Sequence, residues 1–382
     1  MTEFWLSSEQ LAERAQAGRK RQVRCQQRVA SAKVFIDGTQ LIDFASNDYL
    51  GLSQHPSVIQ AFQQAATAGV GAGSAQLLGG YQREHQALAQ ALADFTGRER
   101  VLLFGSGYLA NMGVLSGLVG RRDALLQDRL NHASLLDAGV LSGAIMRRFQ
   151  HRDYDHLERL LKQSQGRRWV VSETVFSMDG DCADIAELNR LCRQHQACLI
   201  LDDAHGFGVF GNNGQGLASV CSADQAPVVI ATFGKALGGY GAFVAGSHTL
   251  IETLEQQARS FIYSTALPPA VAAAAHAALT IVRDQPEHRE RLLTLIERFR
   301  QGAAELGLAL LPSSTPIQPV LMGDHQRALA TAKALAERGF NVPAIRPPTV
   351  PEGTARLRIT LTAAHSESDI DALLTALAEV LL

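Results

Sequence analysis

Val228-Val229-Ile230-Ala231-Thr232-Phe233-Gly234-Lys235-Ala236-Leu237-Gly238-Gly239-Tyr240-Gly241 is an apolar, β-branched run that ends in a glycine-rich turn. The run predicts a strand buried on both faces. The glycines let the backbone turn tightly beside whatever Lys235 touches. An amine held there loses solvation, which lowers its pKa and yields free amine, the species that attacks a carbonyl. Lysine after a strand is ordinarily a surface residue, so Lys235 alone decides little. The rest of the chain has to supply what a reactive lysine needs.

Working outward, similar apolar runs at 101–104, 124–126, 169–173, 198–203 and 242–245 alternate with helical patterns such as 185–195. This alternation predicts an α/β fold with a mostly parallel sheet covered by helices on both faces. Ligands bind such sheets beyond the carboxyl ends of the strands. The segment 105–108, His132, Ser177, Asp202, His205 and Lys235 all fall at those ends.

Upstream, residues 6–27 read as a polar helix with a basic cluster at Arg19, Lys20, Arg21, Arg24 and Arg28. Residues 34–42 read as a hairpin turning at Asp37-Gly38. His55-Pro56 opens a helix, and the glycine-rich segment 71–80 reads as a ligand-facing loop. A helix over 84–95 is ended by Gly97. Downstream, Pro268-Pro269 starts a helical region reaching about residue 306, with a polar middle at 283–291. Strands at 318–322 and 356–360, a helix at 327–338 and a helix after Ser366 suggest an α+β lobe; Ser366 and Asp369 have capping-box spacing. The expected division is an arm at 1–50, a large domain at 51–285 and a smaller C-terminal domain at 286–382.

The chain has 382 residues and a formal net charge of −2. That balance gives no argument for nucleic acid or an acidic membrane surface as partner, and no apolar run is long enough to span a bilayer. The start, Met1-Thr2-Glu3-Phe4-Trp5, lacks a secretory pattern, and Glu3, Glu9 and Glu13 argue against a transit peptide. Five cysteines without a tight repeat read as reduced thiols of a cytoplasmic protein. Cys192, His195 and Cys198 match no common zinc spacing and read as structural, so no metal is expected.

Gly105-Ser106-Gly107-Tyr108-Leu109-Ala110 fits G-x-G-x-x-A after a strand, which admits a nicotinamide-dependent dehydrogenase. The same residues suit a plain phosphate at a helix N-terminus. Asp202 favours the latter. A buried carboxylate needs a partner, and a protonated pyridine nitrogen serves. His205, three residues on, can reach the ring edge, and His132 can lie on its face. With Lys235 and a phosphate loop these residues make a pyridoxal phosphate site the better reading.

Ser46-Asn47-Asp48-Tyr49-Leu50-Gly51-Leu52, Asn131-His132-Ala133-Ser134, Ser177-Met178-Asp179-Gly180-Asp181, Asp202-Asp203-Ala204-His205-Gly206 and Thr232-Phe233-Gly234-Lys235 together resemble the α-oxoamine synthases. These are aspartate-aminotransferase-like, fold-type-I pyridoxal phosphate enzymes that condense an amino acid with an acyl thioester. The resemblance implies that Lys235 holds the cofactor and then acts as base at the amino-acid Cα. It implies that Asp202 pairs with the pyridinium, His205 with the ring hydroxyl, and that His132 stacks on the ring. Gly107, Tyr108, Ser177 and Thr232 become cofactor contacts, and Ser264 and Thr265 reach the phosphate of a partner subunit in a homodimer with its site at the interface. Asn47 lies near the substrate, Arg346 grips its carboxylate with a two-pronged fork, and Arg21 and Thr349 contact the acyl substrate.

Within the family, Ala344-Ile345-Arg346-Pro347-Pro348-Thr349-Val350-Pro351 resembles members that join L-alanine to a pimeloyl thioester of coenzyme A or acyl-carrier protein, a step of biotin synthesis. A glycine-using member is the alternative inside the family. A non-catalytic protein that kept the cofactor fold is a third reading. Ser74-Ala75-Gln76-Leu77 departs from the glycine, serine and basic residue common in relatives, which bears on acyl-carrier contacts.

Overall fold

Mostly apolar runs of five or six residues, too short for stable helices, supply all but one strand of a seven-stranded sheet. Its strands are β1 (Arg100–Phe104), β2 (Ala124–Asp128), β3 (Ile145–Phe149), β4 (Arg168–Glu173), β5 (Ala197–Asp202), β6 (Val228–Thr232) and β7 (Ala242–Gly246). The computed structural model describes residues 5–16, 18 and 20–381; the readings of residues 1–4 and of Arg19 lie outside them. In space the order is β1-β7-β6-β5-β4-β2-β3. Strands β6, β5, β4, β2 and β3 pair in parallel, and β7 runs antiparallel to both β6 and β1. The mostly parallel α/β sheet expected from the sequence is the one observed.

Alternate residues of these strands feed two separate cores. Leu125, Val171, Ile200, Ile230 and Val244 pack with Ala110, Val114 and Leu115 on one face. Leu126, Val170, Leu199, Leu201 and Val229 pack with Leu157, Leu161, Leu188 and Leu191 on the other. Apolar side chains on both faces explain the uninterrupted hydrophobic runs. Truncating one such leucine to alanine costs about 2–5 kcal/mol.

The chain divides into two compact units, one of residues 47–177 and 181–292 that contains this sheet, the other of residues 1–46, 178–180 and 293–382. In the second, strands Gln26–Ala30, Lys33–Ile36 and Thr39–Asp43 form an antiparallel meander. Asp37 and Gly38 turn it with φ of 50° and 82°, the pair of positive values that a two-residue hairpin turn needs. Thr39–Asp43 then pairs in parallel with Phe340–Asn341. Ile317–Gly323, Ala355–Thr360 and Ala344–Ile345 form a second sheet. Ser366 and Asp369 cap the helix Glu367–Leu381 reciprocally, each backbone N–H reaching the other's side chain at 2.8 and 3.1 Å.

One helical expectation is corrected and one is refined. Residues 6–27 are not one helix: the helix is Ser8–Gln16, Gly18 sits at φ 63°, and Gln26–Ala30 is a strand paired with Lys33–Ile36. Its polar residues gave a helical pattern no reason to stop, but the partner strand did. The region 268–306 is two helices, Pro269–Asp284 and Glu287–Glu305. Gln285 leaves helical dihedrals, as the residue before a proline does.

The glycines after Lys235 also answer to something other than a ligand. Gly238 has φ 63°, and a Cβ there would lie 2.2 Å from the Ser53 backbone nitrogen. The tight turn is required by the chain segment packed behind it.

His151, in the turn after β3, bonds Asp128 through Nδ1 and Asp181 through Nε2, each at 2.9 Å. Burial works against its charge, but the two carboxylates outweigh this and raise its pKa from 6.5 to about 9. Such a group stabilises the fold fully below pH 6.5 and loses that contribution as pH rises through about 9. In urea denaturation, the stability gap between wild type and His151→Gln should be widest near pH 6 and narrow by about 2–3 kcal/mol by pH 10. A gap independent of pH would exclude a charged His151.

Candidate active site

The carboxyl ends of the parallel strands deliver polar side chains to one cavity of about 140 Å³. Gly107 and Tyr108 come from the helix after β1, His132 from the turn after β2, Ser134 from the first turn of the helix Ala133–Ser142 that follows, and Glu173 from the end of β4. Asp202, Ala204 and His205 follow β5, and Thr232 and Lys235 follow β6. Asn111 completes the wall from the helix Gly107–Leu118. Seven residues singled out from sequence therefore meet: Gly107, Tyr108, His132, Asp202, His205, Thr232 and Lys235.

Asp202 is buried and firmly held. Its Oδ1 accepts the Ala204 N–H at 3.0 Å and its Oδ2 accepts Asn111 Nδ2 at 2.8 Å. A carboxylate only accepts, so the amide of Asn111 must present its nitrogen. That nitrogen also reaches Ser134 Oγ at 2.8 Å. Ser134 in turn addresses His132 Nδ1 twice, by Oγ at 2.7 Å and by its backbone N–H at 3.2 Å. Two donors at Nδ1 put the imidazole proton on Nε2. A relay thus runs from the Asp202 carboxylate to the His132 ring. Asn111 Oδ1, buried, has no hydrogen-bond partner of its own.

Glu173 sits opposite Asp202 in the β4–β5 register. Burial first, and then the charge of Asp202, hold its carboxyl well above the usual carboxylate range. Bonds from the backbone N–H groups of His132 (2.5 Å) and Ser177, and the charge of Lys235, offset this only in part. Buried Tyr49 places its hydroxyl 2.5 Å from His205 Nδ1.

Lys235 is half-buried on a loop braced by Thr232. The threonine hydroxyl donates to the Gly241 carbonyl at 2.8 Å and accepts the Gly234 N–H at 3.2 Å. The helix Gly107–Leu118 starts at the cavity with Ser106 as its cap, so its first N–H groups form an anion site. The glycine fingerprint before it does not open a dinucleotide-binding βαβ unit. Four strands lie between β1 and the next strand in the chain, β2, and the neighbour of β1, β7, is antiparallel. That removes the structural ground of the dehydrogenase reading.

The other sequence-derived candidates do not line this cavity. Ser177 contributes its backbone to Glu173. Asn47 Oδ1 is 3.4 Å from the Tyr49 hydroxyl. Ser264 and Thr265 follow exposed Tyr263, and Thr265 bridges to Ala75. Gln76, in the segment that departs from the family pattern, donates to the Leu103 carbonyl at 2.9 Å and so ties that loop to β1. In the other unit, the Arg346 guanidinium donates to the Gly18 carbonyl and, at 3.3 Å, to that of Lys20. The Thr349 N–H bonds the Arg346 carbonyl, and Arg21 is exposed. Among the described residues no group of three or more His, Cys, Asp or Glu could hold a metal ion.

Sequence reasoning missed Asn111, Ser134 and Glu173 in the cavity wall, and Tyr49 behind it. Asn111 was visible as the one amide in an otherwise apolar helix face, and Glu173 as an acid ending a buried strand. Neither signal named a partner.

The family model for class I and II aminotransferases matches residues 39–377. An 8-amino-7-oxononanoate synthase of Saccharophagus degradans is 55% identical over 346 residues, 90% of this chain and 87% of that protein. A structure of a serine palmitoyltransferase with pyridoxal phosphate superposes with a TM-score of 0.93 at 29% identity, covering 98% of this chain and 96% of that one. The 8-amino-7-oxononanoate synthase of Francisella tularensis superposes with a TM-score of 0.78 at 30% identity, covering 89% and 97%.

Tyr49→Phe removes one oxygen and takes this partner from a buried imidazole. The expected loss of stability is about 1–3 kcal/mol in chemical denaturation. No loss would mean that His205 Nδ1 is satisfied without the tyrosine.

Proposed function

This chain belongs to the 8-amino-7-oxononanoate synthases of the class I and II aminotransferase family, and on that premise we propose that it joins L-alanine to a pimeloyl thioester. The products are 8-amino-7-oxononanoate, carbon dioxide and the free thiol, a step of biotin synthesis. The enzyme is an acyltransferase dependent on pyridoxal phosphate. The observation that carries the reading is the meeting of Lys235, Asp202, His205 and His132, from the ends of three strands, in one cavity.

The donor set fits the cofactor. A fixed carboxylate suits a protonated pyridine nitrogen, an amine suits an aldehyde, and a helix N-terminus suits a phosphate. Asp202 would hold the ring nitrogen, His205 the ring hydroxyl and His132 the ring face. Gly107, Tyr108, Ser177 and Thr232 would border the group, and Ser264 and Thr265 would serve the phosphate of a partner subunit. When bound, pyridoxal phosphate supplies an electron-poor ring that accepts the charge left at the amino-acid Cα.

The chain's own part is orientation and proton transfer. Lys235 Nζ takes the Cα proton of alanine and returns a proton after the thiol and carbon dioxide have left. Asn111 and the Ala204 N–H keep Asp202 in place through the cycle. Ser134 holds His132 through Nδ1 and so keeps its proton on Nε2. Arg346 is proposed to grip the alanine carboxylate, with Asn47 near the substrate and Arg21 and Thr349 on the acyl chain. Residues 51–285 are proposed as the cofactor domain, 1–50 as an arm and 286–382 as the C-terminal domain. A homodimer is proposed, and exposed Tyr263, Leu78 and Val140 support it by offering apolar surface. Free thiols at all five cysteines are consistent with a proposed cytoplasmic location.

With pyridoxal phosphate added, the protein should gain a visible absorbance band that Lys235→Ala abolishes, with turnover falling by at least about 10³-fold. Among alanine, glycine and serine, alanine should give the highest kcat/KM with pimeloyl-coenzyme A or pimeloyl-acyl-carrier protein. A clear preference for glycine would move the chain to another branch of the family.

A further inference from the structure

Outside the cavity, one cluster of titratable side chains has no part in the chemistry described so far. His151 joins two buried carboxylates, Asp128 and Asp181, and its ring stands edge-on to Phe176 with centroids 4.4 Å apart. Neutral imidazole has one N–H and would turn a lone pair toward one of the two carboxylates; imidazolium donates to both. Arg152 Nη1 adds a second cation to Asp181 at 3.0 Å.

Asp128 shapes the segment that carries His132 into the cavity wall, and Asp181 the one whose Ser177 backbone holds Glu173 there. Asp128 ends β2. Its side chain accepts the N–H groups of Leu130 at 2.8 Å and Arg152 at 3.0 Å, and its carbonyl accepts that of Asn131 at 3.2 Å. Those bonds form the turn that ends on His132. The Asp181 carbonyl accepts the Phe176 N–H at 2.9 Å, closing the loop that carries Ser177. Glu173 binds the backbones of His132 and Ser177 from the inside. His151 ties the same two segments from the outside.

We propose that His151 is a positioning residue for the reaction: by bridging Asp128 and Asp181 it holds the His132 turn and the Ser177 loop in the relation the cavity requires. This rests on the reading of the cavity as the pyridoxal phosphate site. The groups facing His151 are Asp128 from β2, Arg152 with Tyr154 beyond it from the segment after β3, and Asp181 with Cys182 from the loop after β4. Asp128 and Asp181 together raise the His151 pKa to about 9, so its charge is lost as pH rises through that value.

The test uses the full-length protein as wild type, His151→Gln and Asp181→Asn. Apoprotein is titrated with pyridoxal phosphate by absorbance, and kcat per bound cofactor and KM for both substrates are measured from pH 6.5 to 10. Both variants should bind the cofactor more weakly and lose kcat per bound cofactor on the order of tenfold, with KM for the pimeloyl thioester little changed. The wild-type advantage over His151→Gln should shrink toward pH 10. Variants that melt earlier but keep wild-type cofactor affinity and kcat per bound cofactor would reduce His151 to a structural role and overturn the proposal. If His151→Gln does not fold, Asp181→Asn, which keeps His151 and Arg152, decides by the same readouts. Wild type that neither binds pyridoxal phosphate nor turns over would overturn the functional reading and this one together. Wild type that does both, with variants that match it, overturns this one alone.

Discussion

Two carboxyl groups end neighbouring strands side by side, Glu173 opposite Asp202, and both are buried. Like charges cannot both be kept there at low cost, so one must yield its charge. Burial and the neighbour's charge raise Glu173. Asp202 has the better provision, with a side-chain amide on one oxygen and a backbone N–H on the other. The register of two parallel strands thus sets which acid is available to a cationic ring and which becomes a hydrogen-bonding post for the backbones of His132 and Ser177.

The rest of the cavity depends on that division. Asn111 is oriented by Asp202, Ser134 by Asn111, and His132 by Ser134. Each step follows from the one before because a carboxylate can only accept. Tyr49 performs a similar service for His205. The groups that would touch a ligand are therefore a thin layer, and most of the hydrogen bonds that orient them lie one residue deeper.

That depth explains what could be read in advance. Strands β1, β2 and β4 to β7 were visible as apolar runs because helices cover both faces of the sheet. Strand β3 was not. It is an edge strand whose Arg147 and Arg148 are exposed, so it has neither the run nor the alternation that marks a strand. Lys235, Asp202, His132 and His205 stood out as polar residues at strand ends. Asn111 and Tyr49 did not, since an amide in a helix and a tyrosine in a turn acquire meaning only from partners 91 and 156 residues away. The stretch 283–291 read as a polar passage toward a second domain, but charged residues on both sides of Pro286 left the helix end itself unplaced.

The strand Thr39–Asp43 is completed by Phe340–Asn341, and the Asn341 side chain reaches Asp43 at 2.7 Å across 298 residues of chain. Phe44 is stacked on His365 at 4.2 Å, and the buried His365 ring is held to a pKa of about 4. During synthesis the first 46 residues emerge long before their partners. At ribosomal speed they wait on the order of tens of seconds. Over that interval the sheet of residues 47–292 can assemble, while the opening hairpin has only itself to pair with. A segment made before its partners is thus among the last to find its place. Its exposed strand edge, in the meantime, is open to other chains or to a chaperone.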